Sequence, residues 1–383
     1  MKPYTYLVST KIVSGPGVVD SLRQHAAPLG VKPMIVTGKH SARASGALDR
    51  VLKQLPETIV FDGVEENPTA DTCAAGARAC AEKGCDYVVA VGGGSAMDAA
   101  KAIAMLVRNP GNCADYFGVD KYANGNLPII AIPTTAGTGS EVTPYSVILG
   151  GEPRAKRTIT SRGLFPFAAL LDPELSVTMP RSVTVSTGLD ALSQAMEGLV
   201  SLRTTPLGDL LAVEVCRIVK EWLPRAASEP GNIEARSQML FAAMLSGCVI
   251  AQSGTTLVHG MGYCFTLENG MAHGLANALL LTPVFQYNAR FLPEKVARIA
   301  EALGFPTDPE PDAAGKNIGL AIHSLLDTLD VSPAAKDADV DPQRSQAFAE
   351  AICADRSRFK NQPGNPTIDD VFQFFRRACY GER

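Results

Sequence analysis

Short runs of apolar residues alternate with longer segments of helical periodicity through the first half of the chain. The short runs are typical of strands that are buried on both faces. The longer segments are bounded by Gly, Pro, Ser or Thr, as helices commonly are. This alternation predicts βαβ units and a mostly parallel sheet. The predicted strands cover residues 33–36, 58–61, 87–91 and 127–132, and the predicted helices cover 47–54, 69–83 and 96–107.

The second half has a different pattern, because strand signals stop at about Arg181. Long helical patterns follow over 207–223, 233–251 and 293–303, and an earlier helix has Ser186 or Thr187 as its predicted N-cap. The Pro- and Asp-rich segment 306–342 is predicted to form helices joined by loops. At 383 residues the chain exceeds the size of most single cores. We therefore predict an α/β domain over residues 1–180 and an all-helical domain over 181–383.

Composition narrows the class of function. The chain is 46% hydrophobic and 19% charged, with a net charge of -4, which gives no electrostatic reason to bind nucleic acid or an anionic membrane. Its nine cysteines form no CxxC pair, as is usual for reduced cytosolic thiols. The N-terminus lacks the pattern of a signal peptide, and apolar stretches fall short of about 18 residues. We expect a cytoplasmic protein with a small-molecule site.

A glycine-rich turn follows the predicted strand that ends at Val91. The turn GGGS (92–95) leads directly into an Ala-rich helix. Small residues leave backbone N–H groups uncovered at the helix start, and these groups together with the helix dipole attract a pyrophosphate. The turn is not a GxGxxG fingerprint, because Met97 stands at the third glycine position. A nucleotide site and a purely structural turn both remain open on this motif alone.

A second polar loop follows the predicted strand 127–132. It has the sequence TTAGTGSE (134–141) and so combines threonine hydroxyls with glycines. Such a loop at the carboxyl end of a strand suits a ligand that lies across the sheet edge. An ordinary polar loop is the alternative. Two such loops on one sheet favour a nucleotide site.

A metal site is indicated by two of the five histidines, His259 and His273, which lie close together in the sequence. Upstream, Asp190, Gln194 and Glu197 recur at i, i+4 and i+7, on one face of a predicted helix. One carboxylate with two imidazoles is a normal ligand set for an open Fe(II) or Zn(II) site. Ordinary core or surface histidines are the alternative.

With these motifs assembled, the sequence resembles the iron-containing (group III) alcohol dehydrogenase family, which includes lactaldehyde reductases, 1,3-propanediol dehydrogenases and butanol dehydrogenases. The resemblance spans most of the chain and is loose only after about residue 305. It is carried in order by GGGSAMDAAK, PTTAGTGSEVTPYSV, Lys156, LLDPELSVTMP, TGLDALSQAMEG, HGMGY and MAHGLANALLLTPV.

The resemblance implies a dehydroquinate-synthase-like architecture, in which a Rossmann-like dinucleotide-binding domain precedes a helical domain and cofactor and metal meet in the cleft. It implies hydride transfer with Asp190, His259 and His273 as catalytic metal ligands. The implied cofactor residues are Gly93, Gly94, Ser95, Ala96, Met97 and Asp98 at the pyrophosphate, Thr134, Thr135 and Thr138 at the nicotinamide, Lys156 at a ribose and Asn67 near the adenosine. Tyr145 and Ile250 are placed near the substrate.

Two departures from the family pattern concern the metal site. The histidine that usually follows the metal aspartate by four residues is Gln194 here, so the ligand set becomes Asp, Gln, His and His. An amide oxygen is a weaker donor than imidazole, and we expect weakly bound Fe(II) or Zn(II). Another family histidine, near the nicotinamide, is replaced by Tyr263, which we place at the substrate.

A third departure concerns cofactor choice. Many NAD-dependent members carry an acidic residue at the end of the second strand, and here that residue is Gly38, followed by Lys39, His40 and then Arg43. A carboxylate there hydrogen-bonds the ribose 2′-OH and repels a 2′-phosphate. Its absence beside cations favours NADP. A site that takes either NADP or NAD is the alternative.

These features predict a metal-dependent, NAD(P)-linked alcohol dehydrogenase or aldehyde reductase for short-chain substrates, and the resemblance implies a homo-oligomer. A metal-independent reductase of the maleylacetate reductase kind is the alternative that Gln194 favours. Asp190 opposes it, because an aspartate at an empty site repels a carboxylate substrate. A dehydroquinate-synthase-like lyase would want a Lys, Arg and His cluster that residues 250–275 lack. A non-catalytic iron or nucleotide-binding protein is the remaining alternative.

Overall fold

The computed structural model describes residues 3–151 and 155–382, and the chain forms two compact units. The α/β unit consists of Leu7–Pro180 together with Pro230–Gly247. The helical unit consists of Arg181–Glu229 and the chain from Cys248 onward, together with the segment that ends at Tyr6.

The α/β unit is built on a six-stranded sheet in which every strand pair is parallel. The described strands of the chain are β1 (Lys11–Ser14), β2 (Pro33–Gly38), β3 (Ile59–Val64), β4 (Tyr87–Gly92), β5 (Gly118–Val119), β6 (Ile129–Pro133), β7 (Tyr145–Gly150), β8 (Ala155–Thr160) and β9 (Ala168–Leu171). The large sheet has the order β1-β9-β6-β4-β2-β3. Strands β4 and β6 are buried at every position, because parallel strands are covered on both faces. The predicted fold class is confirmed.

Alternate residues of the central strands enter separate cores on the two faces of this sheet. Val88 and Ala90 pack with one set of helices, whereas Val89 and Val91 pack with the other. The helices of this unit include α1 (Leu22–Ala26), α2 (Ser41–Ala44), α3 (Ala47–Gln54), α4 (Ala70–Glu82) and α5 (Gly94–Leu106). Thr69 caps α4, since its side chain accepts a hydrogen bond from the amide of Thr72.

A small second sheet, β5-β8-β7, was not foreseen from the sequence. Strands β7 and β8 form an antiparallel pair that sets Tyr145 opposite Thr160 and Leu149 opposite Lys156. Strand β8 reads AKRTIT and has a single buried residue, Ile159. Its polar composition hides it from a search for apolar runs.

The helical unit contains the long helices that the second half of the sequence predicts. Helix α6 is buried along most of its length and packs against α7 and α10. Helix α8 begins in the α/β unit and ends in the helical unit. The helices are α6 (Arg181–Val200), α7 (Pro206–Ser228), α8 (Ile233–Ser253), α9 (Leu257–Asn269), α10 (His273–Ala289), α11 (Pro293–Ala302), α12 (Pro311–Thr328), α13 (Ser345–Ala354) and α14 (Ile368–Tyr380).

The predicted N-cap of α6 is wrong, because the helix begins at Arg181, directly after Pro180. Ser186 and Thr187 lie inside it. Thr187 is accommodated there because its hydroxyl donates to the carbonyl oxygen of Val183 at 2.9 Å, one turn earlier.

Two further features concern apolar surface and thiols. Among the described residues, α8 alone is long and apolar enough to cross a membrane, but 72% of its most apolar window is buried inside the protein. None of the nine cysteines, all within the described residues, forms a disulfide, and seven of them are buried. Burial raises the pKa of the Cys80 thiol and of the Cys216 thiol to about 12.

Candidate active site

Three helices bring Asp190, His259 and His273 together. Asp190 lies in the middle of α6, His259 near the start of α9, and His273 is the first residue of α10. One ligand atom from each lies within 4.8 Å of the other two. The Oδ1 atom of Asp190 is 3.4 Å from Nε2 of His259 and 4.0 Å from Nε2 of His273. The structure thus assembles the cluster that the sequence predicts.

Two glycines allow this close approach of helices. A Cβ atom on Gly274 would lie 1.8 Å from the carbonyl oxygen of Ser186 and 2.9 Å from Cβ of Asp190. A Cβ atom on Gly262 would lie 2.1 Å from Oδ1 of Asn277. Only glycine lets these backbones pack so tightly, and the histidines consequently sit over Asp190.

A buried glutamate holds His259 on the side away from Asp190. Glu197, three residues after Gln194 on α6, contacts Nδ1 of His259 through Oε2. Its Oε1 atom accepts hydrogen bonds from the amide and the hydroxyl of Thr256, at 2.9 and 2.7 Å. Glu197 is fully buried. In metal sites, a histidine ligand commonly donates a hydrogen bond to a carboxylate from the ring nitrogen that does not bind the metal.

Asn277 and Tyr263 flank His273. The Nδ2 atom of Asn277 lies 3.3 Å from Oδ1 of Asp190 and 3.3 Å from Nε2 of His273. The ring of Tyr263 stacks on the imidazole of His273, with centroids 4.9 Å apart and planes inclined by 11°. Tyr263, which the sequence analysis places at the substrate, therefore lies directly beside the cluster.

The electrostatics of the cluster favour a cation. Burial alone would raise the pKa of Asp190, but the neighbouring histidines lower it below its usual range. Burial acts to lower the pKa of His259, yet Glu197 and Asp190 outweigh it and raise that pKa to about 10. Within the part of the chain that the structure describes, Nε2 of His259 is buried without a hydrogen-bond partner. One carboxylate oxygen and two imidazole nitrogens are suitable ligands, so these residues fit a divalent transition metal.

Gln194, predicted as a further ligand, is buried beside Asp190. Its Nε2 atom donates to Oδ2 of Asp190 at 3.2 Å. In this orientation the amide hydrogen-bonds one oxygen of Asp190, while the other oxygen, Oδ1, faces the histidines.

In the α/β unit the glycine turn and the threonine loop lie against each other. They follow the adjacent strands β4 and β6, where Gly92 is paired with Pro133. A Cβ atom on Gly93 would lie 3.1 Å from Oγ1 of Thr135, and one on Gly94 would lie 2.7 Å from Cγ2 of Thr138. The glycines are therefore needed for the two loops to meet at the carboxyl edge of the sheet.

The start of α5 is the predicted pyrophosphate position. This helix begins at Gly94, so Ser95, Ala96 and Met97 form its first turn, where backbone N–H groups lack partners further back in the helix. Asn67 is adjacent, because its backbone N–H donates to Oγ of Ser95 at 3.3 Å. The backbone of Asn67 is left-handed, with a φ of 57°.

Asp98 faces the interior of the unit. Its Oδ1 atom accepts from the hydroxyl of Ser140 at 2.7 Å, and its Oδ2 atom accepts from the amide of Val147 at 3.1 Å. Burial raises its pKa, and the positive charges of Lys101 and Lys156 oppose that rise. The positive charge of Lys156 therefore acts on Asp98, which lies near the start of α5.

A buried lysine ties α5 to the segment after the threonine loop. The ammonium group of Lys101 donates to the carbonyl oxygens of Ser140 and Tyr145 at 2.7 and 2.8 Å. Burial lowers the pKa of Lys101 to about 8 and raises the pKa of the neighbouring Glu141 to about 7. The buried ammonium group of Lys101 therefore holds the end of the threonine loop against α5.

Comparison with known proteins identifies the family. The family model described as "Iron-containing alcohol dehydrogenase" matches residues 9–173. The model described as "Fe-containing alcohol dehydrogenase family, C-terminal" matches residues 184–379. The chain belongs to the iron-containing alcohol dehydrogenase family. The predicted family and its oxidoreductase chemistry on CH–OH groups are confirmed.

Relatives of this family member cover nearly its whole length. It is 33% identical to 1,3-propanediol dehydrogenase of Citrobacter freundii, over 98% of both chains. It is 28% identical to NAD-dependent methanol dehydrogenase of Bacillus methanolicus, over 97% of this chain and 99% of the relative. A solved structure of 1,3-propanediol oxidoreductase is similar with a TM-score of 0.93 and 31% identity, over 98% of this chain and all of that one.

The remaining predicted residues lie outside the three helices α6, α9 and α10 that carry Asp190, His259 and His273. Gly38 ends β2, and Lys39 is exposed just after it. Arg43 lies 3.4 Å from Asp62 on the surface, where such a pair is weak. Tyr145 begins β7 in the α/β unit, and Ile250 is buried in the part of α8 that belongs to the helical unit.

Two residues at the metal cluster were not predicted as site residues, namely Glu197 and Asn277. Both had a signal in the sequence. Glu197 shares a helix face with Asp190, and Asn277 follows His273 by four residues on one helix. A search for polar residues one helical turn from each predicted ligand would have found Asn277, and a search two turns from Asp190 would have found Glu197.

Proposed function

We propose that this protein is a metal-dependent alcohol dehydrogenase or aldehyde reductase that prefers NADP and acts on short-chain substrates. The observation that carries the proposal is the cluster of Asp190, His259 and His273, with a buried imidazole nitrogen that lacks a partner among the described residues. Family membership supports the reaction type. Family resemblance also places Tyr145 and Ile250 near the substrate, which suggests a modest, mostly apolar cavity.

In this proposal Asp190, His259 and His273 hold the metal, and Gln194 supports the set from beside Asp190. When bound, Fe(II) or Zn(II) supplies Lewis acidity toward the substrate oxygen. Asp190 contributes the negative charge that balances the cation, and His259 is kept in place by Glu197. The ring of Tyr263 covers one face of His273 and limits access of water from that side.

The proposed cofactor site is the pair of loops at the carboxyl edge of the sheet. Backbone N–H groups at the start of α5 bind the pyrophosphate, and the loop with Thr134, Thr135 and Thr138 lies beside the nicotinamide half. Binding that aligns the cofactor with the substrate would remove much of the entropic cost of hydride transfer. The NADP preference rests on Gly38, which lacks a carboxylate to repel a 2′-phosphate.

The experiment that tests this function measures turnover of a panel of short aldehydes with NADPH and with NADH, together with the bound metal. We expect chelation to abolish turnover and added Fe(II) or Zn(II) to restore it. Asp190→Ala and His259→Ala should each lose metal and activity, whereas His25→Ala, a histidine in the α/β unit, should keep both. Full turnover of the first two variants without metal would instead support a metal-independent reductase.

A further inference from the structure

The carboxylate of Glu197 has a separate set of partners for each of its oxygens. Its Oε1 atom accepts from the amide and hydroxyl of Thr256, at 2.9 and 2.7 Å, and from the amide of His259 at 3.3 Å. Its Oε2 atom contacts Nδ1 of His259. The three donors to Oε1 belong to the start of α9, and they fix the direction in which Oε2 points.

This arrangement fixes hydrogen on Nδ1 of His259, whether or not the ring also carries a proton on Nε2. A carboxylate oxygen only accepts hydrogen bonds, so Nδ1 of His259 must be the donor. The other nitrogen, Nε2, lies 3.4 Å from Oδ1 of Asp190. We propose that Glu197 is a positioning residue, which keeps hydrogen on Nδ1 of His259 and so reserves Nε2 for the metal. The inference rests on the proposed function, because it assigns a task to one neighbour of the proposed metal.

A simpler role for Glu197 would be to tie α6 to α9, without any effect on the imidazole. The substitution Glu197→Gln separates the two roles because it keeps the shape of the side chain. Two backbone amides and a hydroxyl need an acceptor at the Oε1 position, so the amide oxygen of glutamine should occupy it. The NH2 group would then face Nδ1 of His259 and donate to it. The neutral ring would then carry its hydrogen on Nε2, the atom that the metal needs.

The test compares Glu197→Gln with the unsubstituted protein in two measurements. In the metal-free protein, nitrogen NMR of labelled histidines reports whether Nδ1 of His259 is protonated, with His259→Asn used to assign the signal. Titration with Co(II), followed by its visible absorption, gives the metal dissociation constant. We expect Nδ1 to be protonated in the unsubstituted protein and unprotonated in Glu197→Gln, with Co(II) bound about 10- to 100-fold more weakly in the variant.

Thr256→Val is the matched control. It removes one hydrogen bond to the same carboxylate but leaves the contact between Glu197 and Nδ1, so it should keep Nδ1 protonated and bind Co(II) nearly as well as the unsubstituted protein. Glu197→Asp keeps an acceptor-only group and should lose less Co(II) affinity than Glu197→Gln. Equal Co(II) affinity in Glu197→Gln, or equal loss in the Gln and Val variants, would reduce Glu197 to a structural tie.

Failure of the inference and failure of the proposed function give different results. Tight Co(II) binding that survives Glu197→Gln overturns the inference and leaves the metal site intact. An unsubstituted protein that binds no metal overturns the proposed function, and the protonation of Nδ1 in the metal-free chain still decides whether Glu197 positions His259. An unprotonated Nδ1 in the unsubstituted protein overturns the inference even where a variant does not fold.

Discussion

Gly274 lies directly against the backbone of Ser186, so that a Cβ atom at Gly274 would be 1.8 Å from the Ser186 carbonyl oxygen. This contact joins the start of α10 to the middle of α6. Because His273 precedes Gly274 and Asp190 follows Ser186 by one turn, the contact also sets the spacing of two proposed metal ligands. A methyl group here must push the two helices apart.

We therefore predict that Gly274→Ala lowers both metal affinity and thermal stability. In an ordinary helix this change would stabilise by about 0.5–1 kcal/mol, so a loss of stability reverses the usual sign. Gly315→Ala is the control, since Gly315 lies in α12 and its added Cβ would meet no atom closer than 3.7 Å. Tm and bound metal are the measurements, and similar Tm values for both variants would show that the helices yield without cost.

Gln194→His should tighten metal binding. A neutral imidazole is a stronger donor than an amide, and a tenfold gain corresponds to about 1.4 kcal/mol. We expect the unsubstituted protein to carry less than one metal per chain after purification and Gln194→His to carry more. Gln194→Leu, which removes the hydrogen bond to Asp190, should carry less. Full occupancy of the unsubstituted protein would contradict the prediction that residue 194 weakens the site.

Gly38→Asp should move cofactor preference toward NADH. The new carboxylate would end β2 and repel a 2′-phosphate while it accepts a hydrogen bond from a 2′-hydroxyl. We expect the ratio of kcat/KM for NADPH to that for NADH to fall at least about tenfold. Gly38→Ala is the matched control for the added Cβ, which would lie 3.3 Å from the Val64 carbonyl oxygen. A preference for NADH in the unsubstituted protein would refute this interpretation of the second strand.

Glu141 should make stability depend on pH. Burial raises its pKa from 4.5 to about 7 in the folded protein, so its contribution to stability is fully present below pH 4.5 and is lost as pH rises through 7. The loss amounts to about 3 kcal/mol, at about 1.4 kcal/mol per pKa unit. Relative to the unsubstituted protein, Glu141→Gln should therefore gain Tm between pH 5 and pH 8.5. The exposed Glu57→Gln is the control, and a pH-independent difference for Glu141→Gln would contradict the prediction.

The sequence was sufficient for most of the α/β unit because buried parallel strands are continuous apolar runs, as in β4 and β6. The sequence was insufficient for elements whose polar residues are explained only by their contacts in the folded protein. Ser186 resembles an N-cap, yet its carbonyl packs against Gly274 inside a longer helix. Strand β8 is polar and is recognisable only beside β7.

The candidate site likewise has residues that the sequence predicts and contacts that it does not predict. Asp190, His259 and His273 could be predicted because ligand types are few and a family pattern places them. Glu197 could be found as a polar residue on the same helix face as Asp190, but its contact with His259 could not be predicted. The two residues lie 62 positions apart, and only the packing of α6 against α9 reveals the contact.

The buried thiols described above can be used to measure local unfolding of this protein. A thiolate reacts with alkylating reagents and a buried thiol does not, so Cys80 in α4 and Cys216 in α7 become reactive only when their helices open. One lies in the α/β unit and the other in the helical unit. Their labelling rates would time the opening of each unit separately, in a single sample and without an added probe site.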